Sequence, residues 1–401
     1  MTFPRTTATV LPPPSERYSA LAWLRKNLFN TWYDALLTLA TLYFLVAGGR
    51  GFLTWVFTQA RWAVITTNLR LFMVGQYPAI YIWRIWLCIG ALAFIIGVTW
   101  SIWLYGRRLP GLLLAVLPFA LMLLPAALTN RMALAAVGVA GLAGFGVGRL
   151  NPAVTRRAAP IVWVIYFPLV IVLISGFGGN RSVLPPVPTN LWGGLLLTFL
   201  LAVVGIVLSF PMGVLLALGR RSQLPIISVL SIAFIELVRG VPFVSIIFMS
   251  QLMLPLFLPE GVTIDRVIRA MAGVTIFSAA YLAENVRGGL QAIAQGQIEA
   301  AHALGLKGFQ TTLLIVLPQA LRAIIPVLVG QFIALFKDTS LVVIVGLLEL
   351  LGIAKTVLAQ PDFLGLQAEV YLFISVVYGI FCFLMSAVSQ RLETALGVGA
   401  R

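Results

Sequence analysis

The hydrophobic positions of the 401-residue chain fall neither in strict alternation nor in the narrow stripes of a soluble helix, but in long, nearly unbroken apolar blocks separated by short polar passages. Five blocks occupy the first part of the chain: 35–58, interrupted at Gly48-Gly49-Arg50-Gly51, then 85–105, 111–128, 132–147 and 161–176. Five more follow at 191–218, 225–259, 267–282, 313–336 and 370–388. A hydrocarbon core of about 30 Å takes roughly twenty helical residues, and within it every backbone N–H and C=O must find a partner in the protein. The pattern therefore predicts an all-α integral membrane protein of about ten transmembrane helices. Block 225–259 is longer than one crossing needs and is broken at Arg239-Gly240-Val241-Pro242, which predicts a kinked element. The shorter run 341–353 predicts a half-buried segment that does not span.

The polar passages divide the chain. Around 180–190 the composition turns to proline, asparagine and arginine (Arg181, Pro185, Pro186, Pro188), which predicts a domain boundary. Residues 1–34, with Leu11-Pro12-Pro13-Pro14-Ser15, read as an N-terminal cytoplasmic tail. Residues 35–180 read as an amino-terminal transmembrane region of about five spans, 191–392 as a second transmembrane domain carrying a polar loop at 287–312, and 393–401 as a cytoplasmic tail. The first five blocks hold hardly any ionisable side chain in their interiors and are expected to be scaffold or lipid-facing shell.

Composition agrees: 61% of residues are hydrophobic and 10% charged, against roughly a quarter charged in soluble domains. The net charge of +15 would suit a nucleic-acid partner, but the basic residues stand singly or in pairs at block ends, as topology signals do. Arg25-Lys26, Arg107-Arg108, Arg156-Arg157, Arg220-Arg221, Lys307 and Arg391 all fall on one side of a ten-span scheme, predicted to be the cytoplasm; Arg61, Arg70 and Arg84 fall on the other and run against the trend. The first block follows Arg17, Arg25 and Lys26 and is expected to be a retained span, not a cleaved leader. Cys88 and Cys382 lie inside apolar blocks, and His302 is the single histidine, so neither a disulfide framework nor a metal site is expected. The chain holds no Gly-x-x-x-x-Gly-Lys-Ser/Thr loop, no Gly-x-Ser-x-Gly elbow and no His-Glu-x-x-His helix, so no catalytic residue and no bound cofactor is assigned to it.

Three groups of residues carry candidate chemistry. The run from Gly289 to Leu304 is too polar to span and predicts a short helix outside the lipid, over about Gln291 to Leu304. Ala300, Ala301 and Ala303 would leave a surface that another protein can approach, Gly305 would end the helix in a left-handed turn, and Lys307 would suit its carboxyl end. Glu236 and Arg239, and again Glu284 and Arg287, stand three apart and predict two ion pairs near helix ends. Lys337-Asp338-Thr339-Ser340 could meet a zwitterionic solute or a docking protein, or be a solvated turn. Pro242, Pro318 and Pro326 predict kinks.

Glu299-Ala300-Ala301, Gly305, Ile315, Leu317 and Pro318, at these intervals, resemble the cytoplasmic coupling loop of permease subunits of binding-protein-dependent ABC importers. From Trp192 to Arg391 the chain resembles the polar amino acid subfamily, through Leu216 to Ser222, Ile235 to Pro242, Ala280 to Gly289 and Leu335 to Leu341; Val241 departs from the threonine often found before that proline. The amino-terminal part, with Leu24 to Trp32, resembles the longer permease of bacterial general L-amino acid importers. The resemblance implies a type I importer permease core preceded by extra spans, in the bacterial inner membrane. It further implies contact with a cytoplasmic ATPase dimer through Glu299, Ala300, Ala301, Gly305, Leu306 and Lys307, and a pathway or gating role for Glu236, Arg239, Pro242, Glu284, Arg287 and Lys337 to Ser340. A second permease chain and an extracytoplasmic amino-acid-binding protein would complete the assembly, with ATP and Mg on the ATPase. An ion-gradient-driven secondary transporter is the alternative, disfavoured by the few protonatable residues within blocks and by the lack of an internal repeat. A membrane-embedded enzyme lacks a clustered nucleophile and base.

Overall fold

The computed structural model describes residues 20–103, 116–122, 127–179 and 182–397. The Arg107-Arg108 stop, Asn180 and half of the predicted block 111–128 lie outside them. Among the described residues eight helical segments are long and apolar enough to cross a bilayer, and nine if a bent pair counts as one span. The expectation of about ten thus stands, with one predicted block described over only half its length.

The chain divides into two compact units, 1–62 and 63–401. In the first, α1 (Ala20–Leu28) leads to α2 (Trp32–Thr54), continued by a wide π-type turn over Trp55–Gln59. Helix α2 starts where the Thr31 hydroxyl accepts from the Asp34 N–H and the Asp34 carboxylate accepts from the Thr31 N–H, a reciprocal cap that satisfies two otherwise orphaned donors. None of its side chains is buried, as suits a helix whose solvent is lipid.

In the second unit, α3 (Ala63–Val74), α4 (Ile82–Trp103), α5 (Leu117–Leu121), α6 (Leu128–Leu150) and α7 (Pro152–Ser175) precede the core. Helices α4 and α6 touch backbone to backbone. A Cβ at Gly97 would lie 2.0 Å from the Gly141 carbonyl oxygen, and one at Gly144 would lie 2.1 Å from that of Phe94. Apolar contact gives no advantage over lipid in a bilayer, so such close approach through small residues supplies the packing energy. Helix α7 begins at Pro152, earlier than the predicted 161, and carries Pro160 and Pro168 inside it. It is fastened to α4 by Trp163 Nε1 donating to Thr99 Oγ1 (3.1 Å) and Tyr166 Oη donating to the Cys88 carbonyl (3.2 Å).

The core comprises α8 (Gly194–Arg220), α9 (Pro225–Gly240), α10 (Phe243–Phe248), α11 (Arg266–Gln291), α12 (Gln295–Ala303), α13 (Gly308–Thr311), α14 (Leu317–Asp338), α15 (Leu350–Leu358) and α16 (Gln367–Leu396). Helix α11 is the central element, with buried residues from Val267 to Leu290 facing α8, α9 and α14. It runs nine residues past the predicted block end at 282, because Glu284 and Arg287 are neutralised within the helix and do not terminate it. The predicted kink is a sharp bend: 225–240 and 243–257 meet at 109°, where Pro242 cannot continue the ladder. Pro318 follows a wide turn over Thr312–Val316, and Pro326 lies within α14. The run 341–353 is divided. Its first part, Thr339–Val345, is a tight 3₁₀ continuation of α14 that ends at Gly346 (φ +75°), and α15 starts after Glu349.

Arg70 and Arg84, which run against the charge rule, hold loop carbonyls. Arg70 Nη2 donates to the Tyr77 carbonyl (2.8 Å) and Arg84 Nη1 to that of Pro185 (2.9 Å), with Arg84 fully buried. They tie loops down and are not free topology signals.

Gly97→Val should force α4 and α6 apart, since the clash is with backbone, and destabilise the protein by about 1–3 kcal/mol. The measurement is the thermal midpoint of the detergent-solubilised chain, with Gly90→Val, where a Cβ meets nothing within 4 Å, as the neutral control.

Candidate functional site

Three features gather the predicted residues. The first is α12, the short polar helix after the central span. It starts at Gln295, not Gln291, because Gly289 to Gln291 complete α11 and Ala292 caps it. Its closure is a two-bond turn: the Leu306 N–H donates to the Ala301 carbonyl (3.1 Å) and the Gly305 N–H to that of His302 (2.9 Å), with Gly305 at φ +81°. The left-handed glycine is as expected. Lys307 instead opens α13, its N–H donating to Gln310 Oε1 (3.0 Å).

Helix α12 has an inner and an outer side. Ala301 is 3% exposed, and Ile298 packs against an apolar cluster that includes Leu282, Val286 and Leu290 of α11 and Val316, Ala320 and Ile324 beyond it. Ala301 is therefore a docking residue, whereas Glu299, Ala300, His302 and Ala303 face outward. Beside them stand Leu304 and Phe309, 83% and 75% exposed. Composition did not single these two out; two large apolar side chains in a polar loop, flanking a helix-ending glycine, are the signal that was available.

The second feature is an ion cluster where α8, α9 and α11 converge at the end leading into α12. Arg287 pairs with Glu284 through Nε (2.8 Å) and Nη2, as expected. Glu236 and Arg239 do not pair with each other. Glu236 is held by Arg220 Nη1 (2.8 Å), while Arg239 and Arg220 each lie 3.6 Å from Glu284 Oε2. Three guanidiniums thus surround one carboxylate, and the bend after Gly240 turns Arg239 toward α11, where its guanidinium also lies 5.6 Å from the Tyr281 ring centre. Arg220, read from sequence only as a charge at a block end, is the link that was missed; nothing local predicts a partner sixteen residues away.

The third feature is the segment around Lys337 to Ser340. Lys337 and Asp338 end α14, with Lys337 exposed and Asp338 half-buried; Thr339 is fully buried and donates to the Phe336 carbonyl (2.7 Å). It is thus not a solvated turn. Nearby is a carboxylate that sequence reasoning passed over. Glu349 is 0% exposed. It caps α15 by accepting from the Leu351 and Gly352 N–H groups (both 2.8 Å), and Tyr378 Oη of α16 donates to it (3.3 Å). Burial pushes its carboxyl up to about 7, against the lowering effect of those bonds. Thr198 Oγ1 of α8 accepts from the Leu350 N–H (3.1 Å), so α8, α15 and α16 meet at this cap.

Residues 209–398 match the family model described as the binding-protein-dependent transport system inner membrane component. The chain is 39% identical, over 97% of its length and 96% of the relative's, to the inner membrane amino-acid ABC transporter permease protein YhdY of Escherichia coli (strain K12). It is 34% identical, over 96% and 95%, to the glutamate/glutamine/aspartate/asparagine transport system permease protein BztC of Rhodobacter capsulatus. Both likenesses include the amino-terminal spans. Among solved structures, an amino acid ABC transporter crystallised with histidines aligns at a TM-score of 0.45 and 27% identity, over 50% of this chain and 91% of that one.

Glu284→Gln should leave three guanidiniums facing a neutral amide and cost about 1–3 kcal/mol, a value discounted for partial exposure. Glu236→Gln, whose carboxylate is more than half exposed, should cost under about 1 kcal/mol. Denaturant unfolding in mixed micelles compares the two; equal losses would mean that Glu284 is not the hub.

Proposed function

Because the chain belongs to the family of binding-protein-dependent transport system inner membrane components, we propose that it is a transmembrane permease subunit of an ATP-driven amino acid importer in the bacterial inner membrane. One observation carries the coupling assignment: α12 is seated on the core by Ile298 and Ala301 while its other side, with Leu304 and Phe309, is open for a partner. A cytoplasmic ATPase dimer is that partner, with Glu299, Ala300, Leu304, Leu306, Lys307 and Phe309 as its contacts and Gly305 fixing their direction. ATP and Mg are held on the ATPase, a second permease completes the pathway, and an extracytoplasmic binding protein delivers the solute.

Force applied to α12 passes to α11 through the shared apolar cluster and then to α8 and α9 through Glu284, Arg220, Arg239 and Glu236. Those charged residues and Pro242 are therefore assigned to gating. Lys337, Asp338, Thr339 and Ser340 are assigned to the pathway: they offer both signs of charge and two hydroxyls inside an otherwise apolar domain, which suits the ammonium and carboxylate of an amino acid. The two conformations that ATP selects differ in how the core helices meet, and the ATPase shifts the balance between them.

Reconstituted alone in vesicles, the chain should not concentrate amino acids under a proton or sodium gradient. Uptake should appear only with the ATPase, the second permease, the binding protein and ATP; gradient-driven accumulation by the chain alone would overturn the reading.

Gly305→Val isolates the coupling helix. A Cβ at Gly305 meets nothing within 4 Å, so the substitution acts through backbone alone, at roughly 1–2 kcal/mol for a left-handed residue. Membrane abundance should stay near normal while ATPase association and uptake fall at least tenfold, with Glu299→Ala milder. Normal transport, or loss of the protein from the membrane as the sole defect, would remove the basis for the assignment.

A further inference from the structure

A cavity of about 720 Å³ opens between α4, α7 and α8, with Phe381 of α16 and the end of α3 also in its wall. Its wall on α8 runs from Leu195 to Leu208 and on α7 from Trp163 to Ile174. Hydrocarbon forms almost the whole surface, and the polar atoms that line it are engaged elsewhere: Tyr166 Oη and Trp163 Nε1 both donate into α4. Water entering the cavity would find no partners, and a site of this kind is not stably wet. Yet its lips are open, with Val164 and Leu208 71% and 52% exposed.

Its lining and length select the occupant. Leu195 to Leu208 is thirteen steps along α8, or about 20 Å at 1.5 Å per residue. The lining is dominated by Leu, Ile, Val and aromatic side chains and holds no glycine, alanine or serine, whereas helices in a bilayer approach one another through such small residues. A helix from another subunit finds no close-packing surface here. One or two hydrocarbon chains fit, with carbon atoms in contact with the walls at about 4 Å. The slot starts one residue after the N-terminus of α8 and ends near its middle, a depth matching one leaflet of a bilayer about 40–45 Å thick with its headgroups. This is the leaflet distal to α12, which lies beyond the Arg220 end of α8.

We propose that this slot is a lipid site, holding an acyl chain of a membrane phospholipid from the leaflet opposite the coupling helix. The bound chain takes the place of a missing side-chain layer between the amino-terminal helices and α8. It also rests against Phe381, which packs on Phe336, the neighbour of Lys337.

The test measures phospholipid retained by the full chain purified from its native membrane, by mass spectrometry of the intact particle after detergent washing. At least one phospholipid per chain should survive washing that removes the surrounding lipid, and Val203→Phe with Val207→Phe, which fill the slot, should lower that retention at least tenfold. To read the site without altering its packing, the wild-type chain in nanodiscs is also irradiated with a phospholipid bearing a diazirine in mid-chain. Label should concentrate on the 199–208 peptide at least fivefold over the exposed residues Ile226 and Leu230 of α9. Equal labelling of the two stretches, full retention by the filled variant, or cross-linking of a second subunit's helix into the slot would each overturn the proposal.

Discussion

The core depends on how one carboxylate, Glu284, is kept ionised at the edge of an apolar bundle. Three guanidiniums from three helices face it, one in direct hydrogen bonds and two at 3.6 Å. Counting Glu236, the cluster carries three positive and two negative charges, and the excess lies on the side where the chain's basic residues accumulate. Removing charge from water is costly, and recovering it requires partners in good geometry. Here the partners come from α8, α9 and α11, so the demands of one side chain fix where three helix ends meet. Glu284 is also what allows α11 to run on to Gln291, bringing its end to the place where α12 begins.

At the other end of the unit the constraint is backbone, not charge. Gly75 forms a bridge with Trp192, and the Gly194 N–H donates to the Leu348 carbonyl (2.9 Å), so three distant segments cross with no side chain between them. A Cβ at Gly75 would lie 2.5 Å from the Gly193 Cα, and Gly75 and Gly194 have φ of +62° and +58°. Glu349 stands immediately beyond this crossing and caps α15. The core is thus pinned by glycines and a buried cap at one end and by an ion cluster at the other. The wide turn before Pro318 and the bend at Pro242 lie along the helices that join them.

Some parts of the chain were legible because they are local. Nine of the ten apolar blocks coincide with helices, the break at Val241-Pro242 is where proline removes a donor, and Gly305 takes the left-handed turn that a helix-ending glycine favours. The Glu284–Arg287 pair follows from spacing on one helix. What was misread is non-local. Glu236 and Arg239 have the same spacing as Glu284 and Arg287, yet each bonds across to another helix, because the 109° bend and the approach of α8 bring better partners than the neighbour three residues on.

Ala301 shows the same limit at smaller scale. In sequence it is one of three equivalent alanines; in the fold it is the one that is buried, while Leu304 and Phe309 stay exposed as an outward apolar pair. Glu349 looked like one acid in a run of leucines, and only the convergence of α8, α15 and α16 makes it a buried cap. The sequence by itself determined which stretches enter the membrane, where they break and which polar loop stays outside, since these depend on transfer of local segments from water to lipid and on backbone chemistry at glycine and proline. The tertiary structure alone decided which charges neutralise one another, which face of α12 is free and where the apolar slot opens, because each depends on helices far apart in the chain arriving within a few ångströms.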